Sequence, residues 1–179
     1  SNIERAASLV QTFKMVSADR TSEARRGFDL RDYLKGVLTS LGPAHREAGH
    51  EILLDCPDGI RIDGYPGAFA QILSNFVMNS IIHGFDQGQT GRLAVRVSEA
   101  EAGMVELVYE DNGRGVAAEH RAQIFDPFFT TRRGAGSTGL GLHIVYNLVR
   151  VRLGGDIQLE SAPEGGARFV LRFPRVSPA

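Results

Sequence analysis

Apolar positions along the chain change period several times, and each change marks an element. Ile3, Ala6, Val10 and Phe13 recur at alternating steps of three and four, which gathers them on one stripe of a helix. An isolated helix this short is marginal in water, so the stripe needs a partner: its own domain, or the other half of a helical hairpin. Charged and small residues from Ser17 to Gly27 break the period and read as a solvated connector. A domain boundary therefore falls there, with residues 1–27 on one side and 28–179 on the other. Tyr33, Val37, Leu38 and Leu41 make the next helical face, which runs out near Gly42-Pro43. Strand patterns at Glu51 to Cys56 and Ile60 to Asp63 flank the turn former Pro57-Asp58-Gly59. From Pro66, the residues Phe69, Ile72, Leu73, Phe76, Val77 and Ile81 supply a wide apolar face up to Gly84, the longest helix of the body.

Beyond that helix, Arg92 to Ser98 and Met104 to Tyr109 alternate across Glu101-Ala102-Gly103 as an antiparallel hairpin. A loop-rich stretch from Asp111 to Thr138 precedes a helix over Leu140 to Leu153. Strands at Asp156 to Ser161 and Arg168 to Phe173 close the chain. Three main helices and about six strands imply a two-layer α/β sandwich, without the strict strand-helix alternation of a doubly wound sheet.

Composition narrows the class. With 179 residues, 42% of them hydrophobic, the chain can bury a core without disulfides, and its lone Cys56 excludes an internal disulfide or an all-cysteine metal site. The reducing cytoplasm is the expected setting. Twenty Lys and Arg against 21 Asp and Glu give a net charge of -1, which supports neither a nucleic-acid surface nor an acidic tail. No apolar run approaches the roughly 20 residues that span a bilayer, so no membrane contact is expected within these residues.

Three polar constellations carry candidate chemistry. Gln71, Asn75, Asn79 and His83 are spaced by four, so they stack along one helical face without the Lys and Glu of an ordinary solvated surface. Three amides and an imidazole offer neutral oxygens to a hard cation and donors to phosphate oxygens. Asp111-Asn112-Gly113-Arg114-Gly115 sets a carboxylate at a strand end, able to accept from an exocyclic amino group such as that of adenine, with glycines that let a ring approach the backbone. Gly134-Ala135-Gly136-Ser137-Thr138-Gly139-Leu140-Gly141-Leu142 runs into the last helix, whose entrance exposes N–H groups to phosphate. No Gly-Lys-Ser or Gly-Lys-Thr closes that loop, so it is not a Walker A loop. Between the last two lies Ile124-Phe125-Asp126-Pro127-Phe128-Phe129-Thr130-Thr131-Arg132-Arg133. Its phenylalanines either fill core or anchor a lid that brings Arg132 or Arg133 near a transferring phosphate.

The order Gln71...Asn75...Asn79...His83, Asp111-x-Gly113-x-Gly115, Phe125-Asp126-Pro127-Phe128-Phe129 and Gly139-Leu140-Gly141-Leu142 closely resembles the catalytic and ATP-binding domain of bacterial sensor histidine kinases. The resemblance covers roughly Phe28 to Pro174 and extends to the gyrase and Hsp90 ATPases. It implies the Bergerat ATP-binding fold, a mixed, largely antiparallel sheet packed on three main helices. It also implies ATP and Mg²⁺ as cofactors and transfer of the γ-phosphoryl group to a histidine on a dimerisation helix. Partners implied are that phosphoacceptor hairpin, a second copy in the full-length homodimer, and the receiver domain of a response regulator. Any membrane anchor of the full-length protein would lie outside these residues.

By the same resemblance Asn79 would hold Mg²⁺ with Asn75 beside it, and His83 would contact phosphate. Asp111 would accept the adenine amino group, with Gly113 and Gly115 near the ring. Gly139, Leu140, Gly141 and Leu142 would meet the phosphates, and Phe128 to Thr138 would form the ATP lid, carrying Arg132 and Arg133 as catalytic cations. Two positions depart from the family pattern, Glu164 for a frequent glycine and Ala167 for a threonine. Asn75 stands where the gyrase-like ATPases carry a glutamate base, which implies slow hydrolysis. The five histidines are His45, His50, His83, His120 and His143, none in the first helix, so the phosphoacceptor is expected upstream of Ser1. His45 and His50 read as exposed helix-end residues. The alternatives are a serine kinase of the anti-sigma-factor type, which would need no hairpin, and a degenerate nucleotide-binding scaffold. A DNA-topology ATPase fits least, lacking the carboxylate base.

Overall fold

A computed structural model describes residues 24–132 and 137–179. The expected first helix with Ile3, Ala6, Val10 and Phe13, most of the connector, and Arg133 lie outside the described residues. The chain opens with β1 (Arg26–Asp29), in residues that read as connector or helix entrance, and Asp29 caps the following α1 (Leu30–Ser40) by accepting from the Asp32 N–H. A short α2 (Gly42–Glu47) follows. Then come β2 (Glu51–Asp55), β3 (Arg61–Gly64) and α3 (Pro66–Asn79), which runs directly into a π-helical turn over Ser80–Gly84. The hairpin is β4 (Arg92–Glu99) and β5 (Met104–Asp111). After the long loop, α4 (Gly141–Asn147) also ends in a π-helical turn, Leu148–Leu153, before β6 (Asp156–Ser161) and β7 (Ala167–Pro174).

The strands form a five-stranded sheet in the order β2-β4-β5-β7-β6 and a two-stranded sheet of β1 with β3. All pairs are antiparallel except β2 with β4. A parallel pair needs a crossover, and α3 lies within it. The strands on either side of Pro57-Asp58-Gly59 therefore do not pair with each other but separate into different sheets, the one topological feature that local turn chemistry did not reveal.

Strand alternation decides what faces the helices. Val105, Leu107 and Tyr109 on β5 and Phe169, Leu171 and Phe173 on β7 point inward and are buried. Outward, Arg168 joins Glu110 at 2.9 Å and Glu160 at 3.2 Å, and Arg172 meets Glu106 at 2.7 Å. Such exposed pairs contribute little stability but leave no apolar sheet face in water. Phe76 of α3 is fully buried between Tyr109, centroid separation 4.9 Å, and Phe169, 4.7 Å, both near-parallel stacks. Phe69 meets Phe173 edge-on at 5.3 Å one end further along. These contacts lock α3 across the central strands.

His45 and His50 correct the expectation of exposure. Both are buried, the His45 Nδ1 bonds the His50 carbonyl at 2.8 Å, and the His50 ring packs against Phe85 at 4.4 Å. The Cys56 thiol is buried too, and burial pushes its pKa up to about 11, which leaves it protonated and unreactive. Among the described residues no helix is long and apolar enough to cross a membrane. Phe76→Ala is expected to cost about 3–5 kcal/mol, read as a lower urea midpoint, because the cavity would open between two aromatic rings.

Candidate functional site

Period two on β5 puts Asp111 on the same face as Val105, Leu107 and Tyr109, at the point where the strand runs out of the core. Its carboxylate is 6% exposed. Oδ1 accepts from the Gly113 N–H at 3.0 Å and the Ala167 N–H at 3.2 Å, and Oδ2 accepts from the Ser80 hydroxyl at 2.7 Å. Gly113 has no room for a side chain, since a Cβ there would overlap the Gly84 carbonyl. The two acidic-turn glycines thus serve tight backbone approach, as Gly113 meets the π-helical turn and Gly115 faces the Gly165 carbonyl.

A cavity of about 340 Å³ opens in front of Asp111. Asn79, His83, Gly115, Gly139, Gly141 and Leu142 line it together with Asp111, so residues from α3, the acidic turn and the entrance of α4 converge on one space. Arg132 lines it as well, with its guanidinium donating to the Ile82 carbonyl at 2.8 Å. Asn75 sits one turn back. A Cβ at Gly141 would come within 3.3 Å of the Asn75 Oδ1 and 3.7 Å of the Asn79 Oδ1, so the helix entrance lies close against both amides.

Gln71, Gly113, Phe128, Thr138 and Leu140, like Asn75, stand off the cavity wall. Gly113 bonds Asp111 from behind, and the Thr138 hydroxyl accepts from the Leu140 N–H at 3.3 Å at the entrance to α4. Phe128 is 64% exposed with φ +65°, and Gly139, at φ +72°, packs where a side chain would collide with the Phe128 backbone. Gln71 is half-buried on the helix face, away from the cavity lining. The phenylalanine segment divides its work: Ile124 and Phe129 form apolar cavity wall, while Phe125 packs on Phe169 and Tyr146.

Sequence reasoning missed Ser80 and Tyr109. Ser80 hydrogen-bonds the Tyr109 hydroxyl at 2.8 Å; both are buried, Ser80 beside Asp111 in the cavity wall and Tyr109 behind it. The available signal was the β5 alternation, which sets Tyr109 beside Asp111 on the inner face. Of the two departures from the family pattern, Glu164 is an exposed partner of Arg92 at 2.8 Å, whereas Ala167 holds Asp111 through its backbone and needs no hydroxyl for that.

Electrostatics favour anions at one end. The His83 pKa is lowered by burial first and then by the neighbouring Arg132 and Arg114 guanidinium groups, so the imidazole is neutral at neutral pH. Its Nε2 lies 3.2 Å from the Ser137 hydroxyl and its Nδ1 3.4 Å from that of Thr131, so both residues reach this ring. Burial raises the Tyr109 pKa well above the ordinary phenol value, leaving it a donor.

The donor set fits a magnesium nucleotide. The side-chain nitrogens of Asn75 and Asn79 are buried without a partner, a costly state that phosphate oxygens would relieve. Among the described residues no group of three or more His, Cys, Asp and Glu is arranged to hold a metal ion. A cation here would rely on amide oxygen, waters and phosphate, as Mg²⁺ commonly does.

Residues 64–177 match the family described as histidine kinase-, DNA gyrase B- and HSP90-like ATPase. The chain belongs to this family. Its domains generally bind ATP with Mg²⁺. Within the family, the chain resembles the catalytic and ATP-binding domains of bacterial sensor histidine kinases. It is 42% identical over 113 residues to the sensor histidine kinase ZraS of Escherichia coli O157:H7, a match covering 63% of this chain and 23% of that protein. The C4-dicarboxylate transport sensor protein DctB of Rhizobium meliloti is 31% identical over 171 residues, covering 92% of this chain and 27% of the relative. The chain thus spans about a quarter of the length of the curated relatives it matches. Among solved structures, the catalytic domain of histidine kinase ThkA superposes with a TM-score of 0.74 at 23% identity, over 86% of this chain and 97% of that one. Full-length ShkA in complex with AMPPNP gives 0.70 at 28% identity, over 96% of this chain and 36% of that one.

His83 should titrate below the ordinary histidine range, gaining its proton only as pH falls through the lowered value. An NMR titration of its C2–H checks this, and Arg132→Ala should move the midpoint upward by removing one cation. A midpoint at or above the reference value of 6.5 would contradict the assigned electrostatics.

Proposed function

We propose that this domain binds Mg·ATP and passes its γ-phosphoryl group to a histidine on a dimerisation helix, from which a response-regulator aspartate receives it. The carrying observation is the polarity of one cavity: at one end a carboxylate held by three internal donors with one acceptor position left, and at the other an open helix entrance faced by two unpartnered amides and an arginine. That asymmetry suits a ligand with an amino-bearing ring and a phosphate tail.

In this reading Asp111 accepts the adenine amino group while Gly115 and Ala167 leave space beside the ring. Asn79, seconded by Asn75, contributes amide oxygen to Mg²⁺ and N–H to phosphate. The N–H groups of Gly139, Gly141 and Leu142 at the entrance of α4, with the partial positive charge of a helix N-terminus, hold the phosphate chain, and Leu140 between them gives its N–H to Thr138. Mg²⁺ neutralises developing phosphate charge when bound. His83 and Arg132 cover the same end, with Arg133 as a further candidate cation and Phe128 to Thr138 as the lid. The phosphate would stabilise the imidazolium form of His83, so binding would draw a proton onto that ring. Residues 1–27 are proposed as the end of the dimerisation hairpin and its link to the domain formed by 28–179. The acceptor histidine, the second copy and the receiver domain belong to the full-length kinase.

Calorimetric titration with ADP and with ATP, with and without Mg²⁺, tests the reading. Saturable binding should be lost in Asp111→Asn, whose amide keeps its oxygen on the Gly113 and Ala167 N–H groups and so turns its NH2 toward the adenine amino group, donor against donor, a change of about 100-fold or more. Asn79→Ala should abolish the Mg²⁺ dependence while leaving weak binding. A folded chain that binds no nucleotide at millimolar concentration would favour a degenerate scaffold instead.

Transfer and hydrolysis separate as well. Among the described residues that line the cavity the one carboxylate is Asp111, whose oxygens are committed to Gly113, Ala167 and Ser80, so phosphate release from ATP should be slow even at saturation. Addition of the histidine-bearing hairpin should allow labelling of that hairpin by γ-labelled ATP. Rapid phosphate release without it would contradict the kinase assignment.

A further inference from the structure

An ionised carboxylate has about four acceptor positions. Three of the four on Asp111 are filled from within the chain, by the N–H groups of Gly113 and Ala167 on Oδ1 and the Ser80 hydroxyl on Oδ2. Ser80 has a single proton and it goes to the carboxylate, so the Tyr109 hydroxyl, 2.8 Å from Ser80 Oγ, must donate in turn. The result is a directed chain from Tyr109 through Ser80 to Asp111. Every member is buried: Tyr109 at 0%, Ser80 at 3% and Asp111 at 6% exposure. Asp111 and Ser80 face the cavity, while Tyr109 stands behind them, its ring stacked on Phe76.

We propose that Ser80 and Tyr109 are positioning residues that hold Asp111 as an acceptor with one vacant position, and so set the preference of the site for a purine bearing an amino group over one bearing an oxo group. The inference rests on the reading that Asp111 receives the adenine amino group. A carboxylate held by three donors offers the incoming ring only a lone pair. Adenine presents an N–H there and is accepted; guanine presents an oxygen, and two acceptors face each other without a proton.

Removing the Ser80 hydroxyl opens a second position on Oδ2. The carboxylate can then turn, or take a water that donates to an oxo group, and either erodes the distinction between the two purines. Removing only the Tyr109 hydroxyl leaves Ser80 its bond to Asp111 but deprives its oxygen of a buried donor, so the effect is smaller and of the same sign. Tyr109 acts through Ser80 alone, and its contribution should vanish once Ser80 is gone.

The test compares ADP and GDP affinities by calorimetry for the 179-residue chain and for Ser80→Ala, Tyr109→Phe, the double variant and Asp111→Asn. Tyr109→Phe keeps the ring and its stack on Phe76, so it guards against loss of fold in the serine variant. Ser80→Ala should lower the ADP-to-GDP preference about tenfold and Tyr109→Phe about threefold, with the double variant no worse than Ser80→Ala. A purely structural role would lower the melting temperature and leave the preference unchanged. An unchanged preference in Tyr109→Phe and Ser80→Ala, with ADP binding still lost in Asp111→Asn, overturns the inference alone. ADP binding absent from the parent chain, or retained in Asp111→Asn, overturns the nucleotide reading and the inference with it.

Discussion

The stacking of Phe76 between Tyr109 and Phe169 is the contact on which the site depends. A helix has one rotational phase, and burying Phe76 against the central strands sets it. Asn75 and Asn79 are then carried to the flank of the same interface, where α4 approaches, and Ser80 falls against the end of β5. The sheet obeys its own constraint, since the alternation that buries Tyr109 also turns Asp111 inward. Two periodicities, one of 3.6 and one of 2, are thus locked together by three aromatic rings, and the cavity is what remains between them.

The site's polar groups are treated unequally, and the inequality carries meaning. Asp111 has three internal donors, a level of satisfaction that makes it a rigid acceptor. The amides of Asn75 and Asn79 keep buried nitrogens without partners, which folding alone would disfavour. Native structures tolerate such orphans where a ligand completes them. The His83 ring, neutral because burial and two arginines oppose its charge, is a further group whose state a bound anion would change.

Much of this was legible in the chain. The apolar face of Pro66 to Gly84, the Arg92–Tyr109 hairpin and the closing strands follow from period alone, and the amide stripe, acidic turn and glycine loop are marked by residue types that do not suit ordinary surfaces. Less was visible where local chemistry is silent. The separation of the strands around Pro57-Asp58-Gly59 into different sheets depends on a parallel pairing with β4, some forty residues away. The burial of His50 depends on Phe85, which packs on its ring from beyond the long helix, and His45 is tied in turn to the His50 carbonyl. The π-helical endings of both long helices leave no mark in residue spacing.

What the sequence by itself determined was the inventory: which residues are amide, carboxylate, glycine and aromatic, in what order, and on which face of which element, because those properties are local and periodic. Only the tertiary structure decided which of them meet. It drew Asn75 and Asn79 to Gly141, turned Phe128 to solvent while keeping Phe129 inside, and placed a phenol from β5 behind one carboxylate and a hydroxyl from the end of α3 beside it. Those meetings span tens of residues in sequence and are settled by packing, which responds to the volume and shape of every neighbour at once and leaves no trace in any single segment.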